Sequence, residues 1–271
     1  MNDILIYLSE PFAQNALIAA TLVAIMCGLI GPFVIMRRMA FAVHGTSELA
    51  FTGAAAGLLL GVSPLVGAFG GALVVAGLIG LLGGRERERD SSMGVILAFG
   101  LGVGVLLLSF YKGFATQATN ILFGNIFGVS DWQLVLLLGV GAVTCLIMFA
   151  IYRPLLFASL DPEVARAKGL PMTLLSGLFL VILALTVTEA AQVVGTLLVL
   201  SLAITPAAAA HRITVRPATL TALSVLFALI ASVGGVLLSL AFDTIKPTVF
   251  ITAISFGIYA LAFLSTIKSH R

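Results

Sequence analysis

His44 and Glu48 stand four residues apart near the start of a long apolar stretch, in the segment Arg37-Arg38-Met39-Ala40-Phe41-Ala42-Val43-His44-Gly45-Thr46-Ser47-Glu48. On a helix, residues at i and i+4 share one face. Imidazole and carboxylate are both ligands for divalent metals. An ionisable side chain within an apolar span is costly and points to function. The spacing therefore suggests a cation held from two points on one helical face. A polar pair buried for packing is the other reading of the same residues. Two donors do not complete a metal shell, so further ligands would come from neighbouring spans, a second copy of the chain, or water. A weakly held ion suits transport, because it must leave as readily as it enters.

Such a pair needs spans to hold it. Of 271 residues, 61% are hydrophobic and 9% charged, with a mean hydropathy of +1.20. A soluble domain carries about 25% charged residues. The chain is thus expected to be all-α and polytopic, one membrane domain over 1–271. Spanning the hydrocarbon takes about 20 apolar residues. Apolar runs predict spans at 14–36, 42–61, 64–83, 93–111, 132–152, 171–188, 192–210, 217–241 and 247–267, eight or nine in all. The run 171–210 is divided at Thr188, Glu189 and Gln192, because the basic loops on both sides need the same face. Glu189 and Gln192 then fall in an external loop or at an acidic entry point for cations. The stretch 113–131 is too polar and too short to span, and suits an external or re-entrant helix.

Basic residues give the orientation. With the N-terminus outside, 12 of the 14 Lys and Arg face the cytoplasm, and only Lys112 and Lys246 face out. That asymmetry places the C-terminus inside. The net charge of +3 is spread between apolar runs rather than gathered in a patch, so nucleic acid is not an expected partner. The opening MNDILIYLSEPF has no basic n-region, which leaves the first span in place. Cys27 and Cys145 lie within apolar runs and read as unpaired packing residues. Glycines recur every fourth residue at Gly53, Gly57 and Gly61, and in the pairs Gly67/Gly71 and Gly100/Gly104. Bare faces of that kind let helices approach closely in lipid.

Two further segments carry signals. In the connection 153–170, Asp161 suits an N-cap, Pro162 the first helical position, and Gly169 the end. A short capped helix there, exposing Glu163 and Arg166, suits docking to a soluble partner as well as it suits an ordinary surface loop. Pro206 interrupts a helical run and predicts a kink, and His211-Arg212 marks the water boundary. No G-x-x-x-x-G-K-[ST] phosphate loop, structural zinc cluster or Ser/His/Asp set is present in the sequence. The chain is therefore not expected to be an enzyme or to hold a permanent cofactor.

Four stretches together resemble the membrane permeases of ATP-binding-cassette importers for divalent metals. They are Gly31 to Phe41, the His44 to Glu48 segment, Leu160 to Pro171, and Val193 to Leu200 running on to Pro206-Ala207. The resemblance covers nearly the whole chain. It implies a type II importer-like architecture, a homodimer in the plasma membrane, a separate cytoplasmic ATP-binding subunit and an extracytoplasmic metal-binding protein. It implies that His44 and Glu48 line the path of zinc, manganese or iron. The family's usual order is acid first and imidazole second, and here the order is reversed. It also implies that Asp161, Pro162, Glu163, Arg166 and Gly169 form the helix that couples to the ATPase. Two rival readings are an ion-coupled secondary transporter and a membrane scaffold without transport. The first would show mid-span charges on matched broken repeats, and such charge is scarce here. The second would be indifferent to loss of His44 and Glu48.

Overall fold

The structure is a computed structural model, which describes residues 10–81, 86–111, 122, 124–196, 198–242 and 245–269; the side chains of 81–93 and 267–269 are left aside. The described residues form helices and turns without a strand. In chain order the helices are α1 (Pro11–Met36), α2 (Ala40–Leu59), α3 (Pro64–Leu81), α4 (Glu86–Ser109), α5 (Asp131–Leu160), α6 (Pro162–Ala167), α7 (Met172–Val194), α8 (Val199–Ala203), α9 (Thr205–Ile213), α10 (Pro217–Ala241) and α11 (Pro247–Ser269). Proline opens α1, α3, α6, α10 and α11, where its missing N–H costs nothing and its fixed φ favours the helix. Ser130 and Gln133 form a reciprocal capping box at the start of α5.

Among the described residues, five helices are long and apolar enough to cross a membrane: α1, α5, α7, α10 and α11. Two-thirds (67%) of the apolar window of α1 and of α7 is buried, against 28% for α5 and 22% for α11. The first two are therefore the axis of the bundle, and the last two lie at its periphery. Small residues let α1 take that place. Ala16, Ala19, Ala20, Ala24 and Cys27 are fully buried, and a Cβ on Gly28 would run into the backbone of Val225 on α10. Ser232 of α10 donates to the Ala20 carbonyl across the same seam, at 2.9 Å. The glycine face read from the sequence is real as well. A Cβ at Gly53 would meet the backbone of Gly67 and Gly71, so α2 and α3 touch backbone to backbone.

Among the described residues, Arg37, Arg212 and Arg216 gather at one end of the bundle. Arg37 at the end of α1 reaches Ser159 near the end of α5 and Ser176 near the start of α7. Tyr152 of α5 hydrogen-bonds Thr221 near the start of α10, 2.9 Å away. Thr266 of α11 donates to the carbonyl of Arg212 at the end of α9. At the opposite end, Asn15 donates to Asp131, Phe12 meets Phe127 edge-on, and Gly124 backs onto Gly195.

Three sequence expectations need correction. The division of 171–210 falls at Gly195–Leu198, not at Glu189–Gln192: α7 runs unbroken through both polar residues to Val194. Gly195 takes φ +95°, a conformation other residues resist, and that stops the helix. Second, Arg153 and Pro154 do not end the fifth span, because α5 continues to Leu160. The connection to α7 is correspondingly shorter than 153–170. Third, residues 86–90 are the first turns of α4 rather than part of a loop. Of the stretch 113–131, residues 113–121 and 123 lie outside the described residues, and Ile126–Gly128 is a 3-10 turn. The run around Pro206 does divide, into α8 and α9 at Ile204.

Candidate functional site

His44 lies in the second turn of α2 and Glu48 one turn deeper, about 12 Å along the axis from the helix start. The imidazole Nε2 is 3.2 Å from the Glu48 Oε1, so the two side chains do meet on one face. The His44 side chain is 35% exposed and that of Glu48 12%. The imidazole is thus partly exposed and the carboxylate largely sheltered, while the His44 Nδ1 is buried and has no hydrogen-bond partner among the described residues. The neighbouring polar residues are held by backbone. Ser47 donates to the His44 carbonyl at 2.8 Å, Thr46 to the Ala42 carbonyl, and Thr52 across to the Gly100 carbonyl of α4 at 2.7 Å. The stretch is less apolar than its neighbours, and α2 is not among the helices that qualify as spans by length and hydropathy. Packing against α3, α4 and α7 keeps it in the bundle.

Among the described residues, no group of three or more His, Cys, Asp or Glu side chains is placed to hold a metal. The pair therefore supplies two donors of the four to six that first-row divalent ions take. Cys27 and Cys145 are unpaired, as expected.

The segment after α5 forms the capped helix expected from its residues. The Asp161 side chain accepts from the Val164 N–H, Pro162 opens α6, and Gly169 closes it at φ +79°. Ala165 is the buried residue of α6; Glu163 and Arg166 point outward, beside exposed Leu160 and Val164. What secures this end is not visible in any local pattern of residues. Arg37, read only as a boundary marker, has its Nε 2.8 Å from the Ser159 Oγ, its Nη1 3.3 Å from the Ser176 Oγ, and its guanidinium 5.3 Å from the Phe179 ring centre. One side chain thus ties the end of α1 to the helix that carries α6 and to the start of α7. Those partners lie more than a hundred residues away in the chain, so no local pattern could reveal them.

Glu189 is the second departure from expectation. It lies in neither an external loop nor an entry point: it is fully buried within α7, and among the described residues neither carboxylate oxygen has a hydrogen-bond partner. An unpartnered buried polar group costs about 1–3 kcal/mol. Glu189→Met, of similar volume and without the cost, should raise the thermal unfolding midpoint by several degrees in detergent solution. An unchanged or lowered midpoint would mean that the carboxylate is held by something outside this chain.

Comparison with known proteins fits this arrangement. The model of the ABC 3 transport family matches residues 9–266. The manganese transport system membrane protein MntC of Halalkalibacterium halodurans is 33% identical over 262 residues, covering 96% of this chain and 89% of that protein. The manganese import system permease protein ScaB of Streptococcus gordonii is 32% identical over 233 residues, covering 86% of this chain and 84% of its own length. Among solved structures, PsaBC from Streptococcus pneumoniae in complex with Fab superimposes with a TM-score of 0.87 at 30% identity, over 97% of this chain and 95% of that one. With a match over nearly its full length, and with helices that carry it repeatedly across a bilayer, this chain belongs to the ABC 3 transport family and is a multi-pass protein of the plasma membrane.

Proposed function

We propose that this chain is the permease of an ATP-driven importer for a divalent metal, and that the ion is Mn²⁺. The observation that carries the reading is the His44–Glu48 pair, joined at 3.2 Å on one helical face with the imidazole partly exposed. One carboxylate and one imidazole suit a borderline-hard ion such as Mn²⁺ without excluding zinc or iron. Relatives named for manganese transport favour it. Two donors per chain make a second copy the natural source of the rest, so the permease works as a homodimer with both pairs facing the two-fold axis. The basic end of the bundle faces the cytoplasm. There α6 offers Glu163, Arg166 and an apolar shoulder at Leu160 and Val164 to a separate ATP-binding subunit. An extracytoplasmic metal-binding protein delivers the ion to the other end.

The mechanism is alternating access. Asp161 is both the last residue of the α5 connection and the cap of α6, so a push on α6 moves the end of α5. Ser159 passes that movement to Arg37. Arg37 leads through Arg38, held at φ +52°, into the first turn of α2. His44 is one turn further on. The backbone contact between α2 and α3 makes these two helices move together. No covalent chemistry falls to this chain.

The deciding experiment is ATP-dependent Mn²⁺ accumulation in proteoliposomes holding the chain with its ATPase. Accumulation is expected with ATP and absent from the chain alone. Uptake by the chain alone, driven by a proton or sodium gradient, would instead establish a secondary transporter.

A further inference from the structure

A cavity of about 400 Å³ opens at the basic end of the bundle between α1, α9 and α11, lined by Ile35, Ala208, His211, Arg212 and Tyr259. Neither the metal pair nor α6 contributes to it. Its polar groups are a guanidinium, an imidazole and a phenol, and its walls are otherwise apolar. Arg212 is pre-oriented: its guanidinium lies 5.1 Å from the Phe263 ring centre, and its Nη2 is 3.5 Å from the Tyr259 hydroxyl. Tyr259 and Phe263 are themselves stacked, at 6.5 Å and 23°. A guanidinium laid on a ring keeps its N–H edge free for a planar or tetrahedral anion.

The surrounding charge has one sign. From Ala190 to Arg271 the sequence carries a single acid, Asp243, while Arg212 and Arg216 bracket the turn from α9 to α10. Among the described residues no carboxylate pairs with Arg212. At the end of α9, Thr266 donates to the Arg212 carbonyl and so takes up one of the terminal carbonyls beside the cations. Beside the cations, Ile213 and Val215 are 51% and 82% exposed. Cations interleaved with bare apolar side chains at the end of a membrane helix mark the headgroup layer.

From this geometry we infer that the cavity is a binding site for an anionic glycerophospholipid. The phosphodiester meets Arg212, His211 and the Tyr259 hydroxyl, and the acyl chains leave along the apolar outer face of α11. A basic pocket between membrane helices takes headgroups of this class. The site is independent of the metal reading: it would hold even if His44 and Glu48 carried no ion.

The test uses the full chain in neutral detergent and three probes: phosphatidylglycerol, phosphatidylcholine and inorganic phosphate. Binding is read by native mass spectrometry and by the shift in thermal midpoint. Phosphatidylglycerol should bind about tenfold more tightly than phosphatidylcholine and raise the midpoint. Arg212→Gln should remove that preference. Arg216→Gln, outside the cavity, should keep it. Arg212 is exposed, so its replacement should not unfold the chain. Equal binding of both lipids, or an undiminished preference in Arg212→Gln, would overturn the site. So would loss of the preference in Arg216→Gln to the same degree, since that reports general surface charge. Protection by inorganic phosphate equal to that by phosphatidylglycerol would also overturn it, in favour of a soluble anion.

Discussion

Replacing His44 and Glu48 together by alanine is expected to abolish metal uptake, with a fall of at least about 100-fold, while leaving assembly with the proposed ATPase intact. Losing a single outer-sphere partner of a metal site typically costs 10–100-fold; losing both ligands of one chain, and four in a homodimer, costs more. The fold should survive, because both side chains are partly exposed and neither belongs to the apolar core. Uptake of radioactive or fluorescently detected Mn²⁺, alongside co-purification of the ATPase, separates the two effects. A sharper version exchanges the pair for the family's usual order, His44→Asp with Glu48→His. Positions four apart share a face whichever residue comes first, so this variant should recover much of the uptake. Undiminished uptake in the double alanine variant would remove the metal path from α2.

Arg37→Ala is expected to separate hydrolysis from transport. ATP hydrolysis by the assembled complex continues, while uptake per ATP falls about tenfold or more. The variant loses two hydrogen bonds from a charged donor and a ring contact, each of them linking α1 to α5 or α7. Lysine keeps the charge over Phe179 but cannot reach both serines with a fork, so Arg37→Lys should fall between alanine and the native chain. Metal binding to the detergent-solubilised permease should be unchanged in both, which distinguishes a broken linkage from a damaged site. Charge reversal at Glu163 or Arg166 should give the same signature from the docking side. A proportional loss of hydrolysis and uptake in Arg37→Ala would point to a misassembled complex and against the linkage.

Much of the protein was legible from local chemistry. The apolar runs and their proline starts located most of the spans, because a helix in lipid must satisfy its own backbone and so shows itself as a run of the right length. Asp161, Pro162 and Gly169 announced α6 correctly, because caps act within one turn. The i,i+4 rule alone put His44 against Glu48. Where the reading failed, it failed over long-range contacts. Glu189 looked like a loop residue because an acid among apolar residues usually seeks water, yet α7 passes through it and ends at a glycine six residues later. Arg153-Pro154 looked like an end, yet α5 absorbs a proline and continues.

The sequence by itself determined that this chain is a helical membrane protein, that His44 and Glu48 meet on one helical face, and where a short capped helix would form. Each of these depends on composition or on residues within a turn of one another. Only the tertiary structure decided that Arg37 bridges three helices, that Glu189 is sealed in the core, and that Arg212 and Tyr259 face one cavity. Those arrangements depend on which helices lie side by side, and apolar faces of similar composition leave that choice to close packing across the whole bundle.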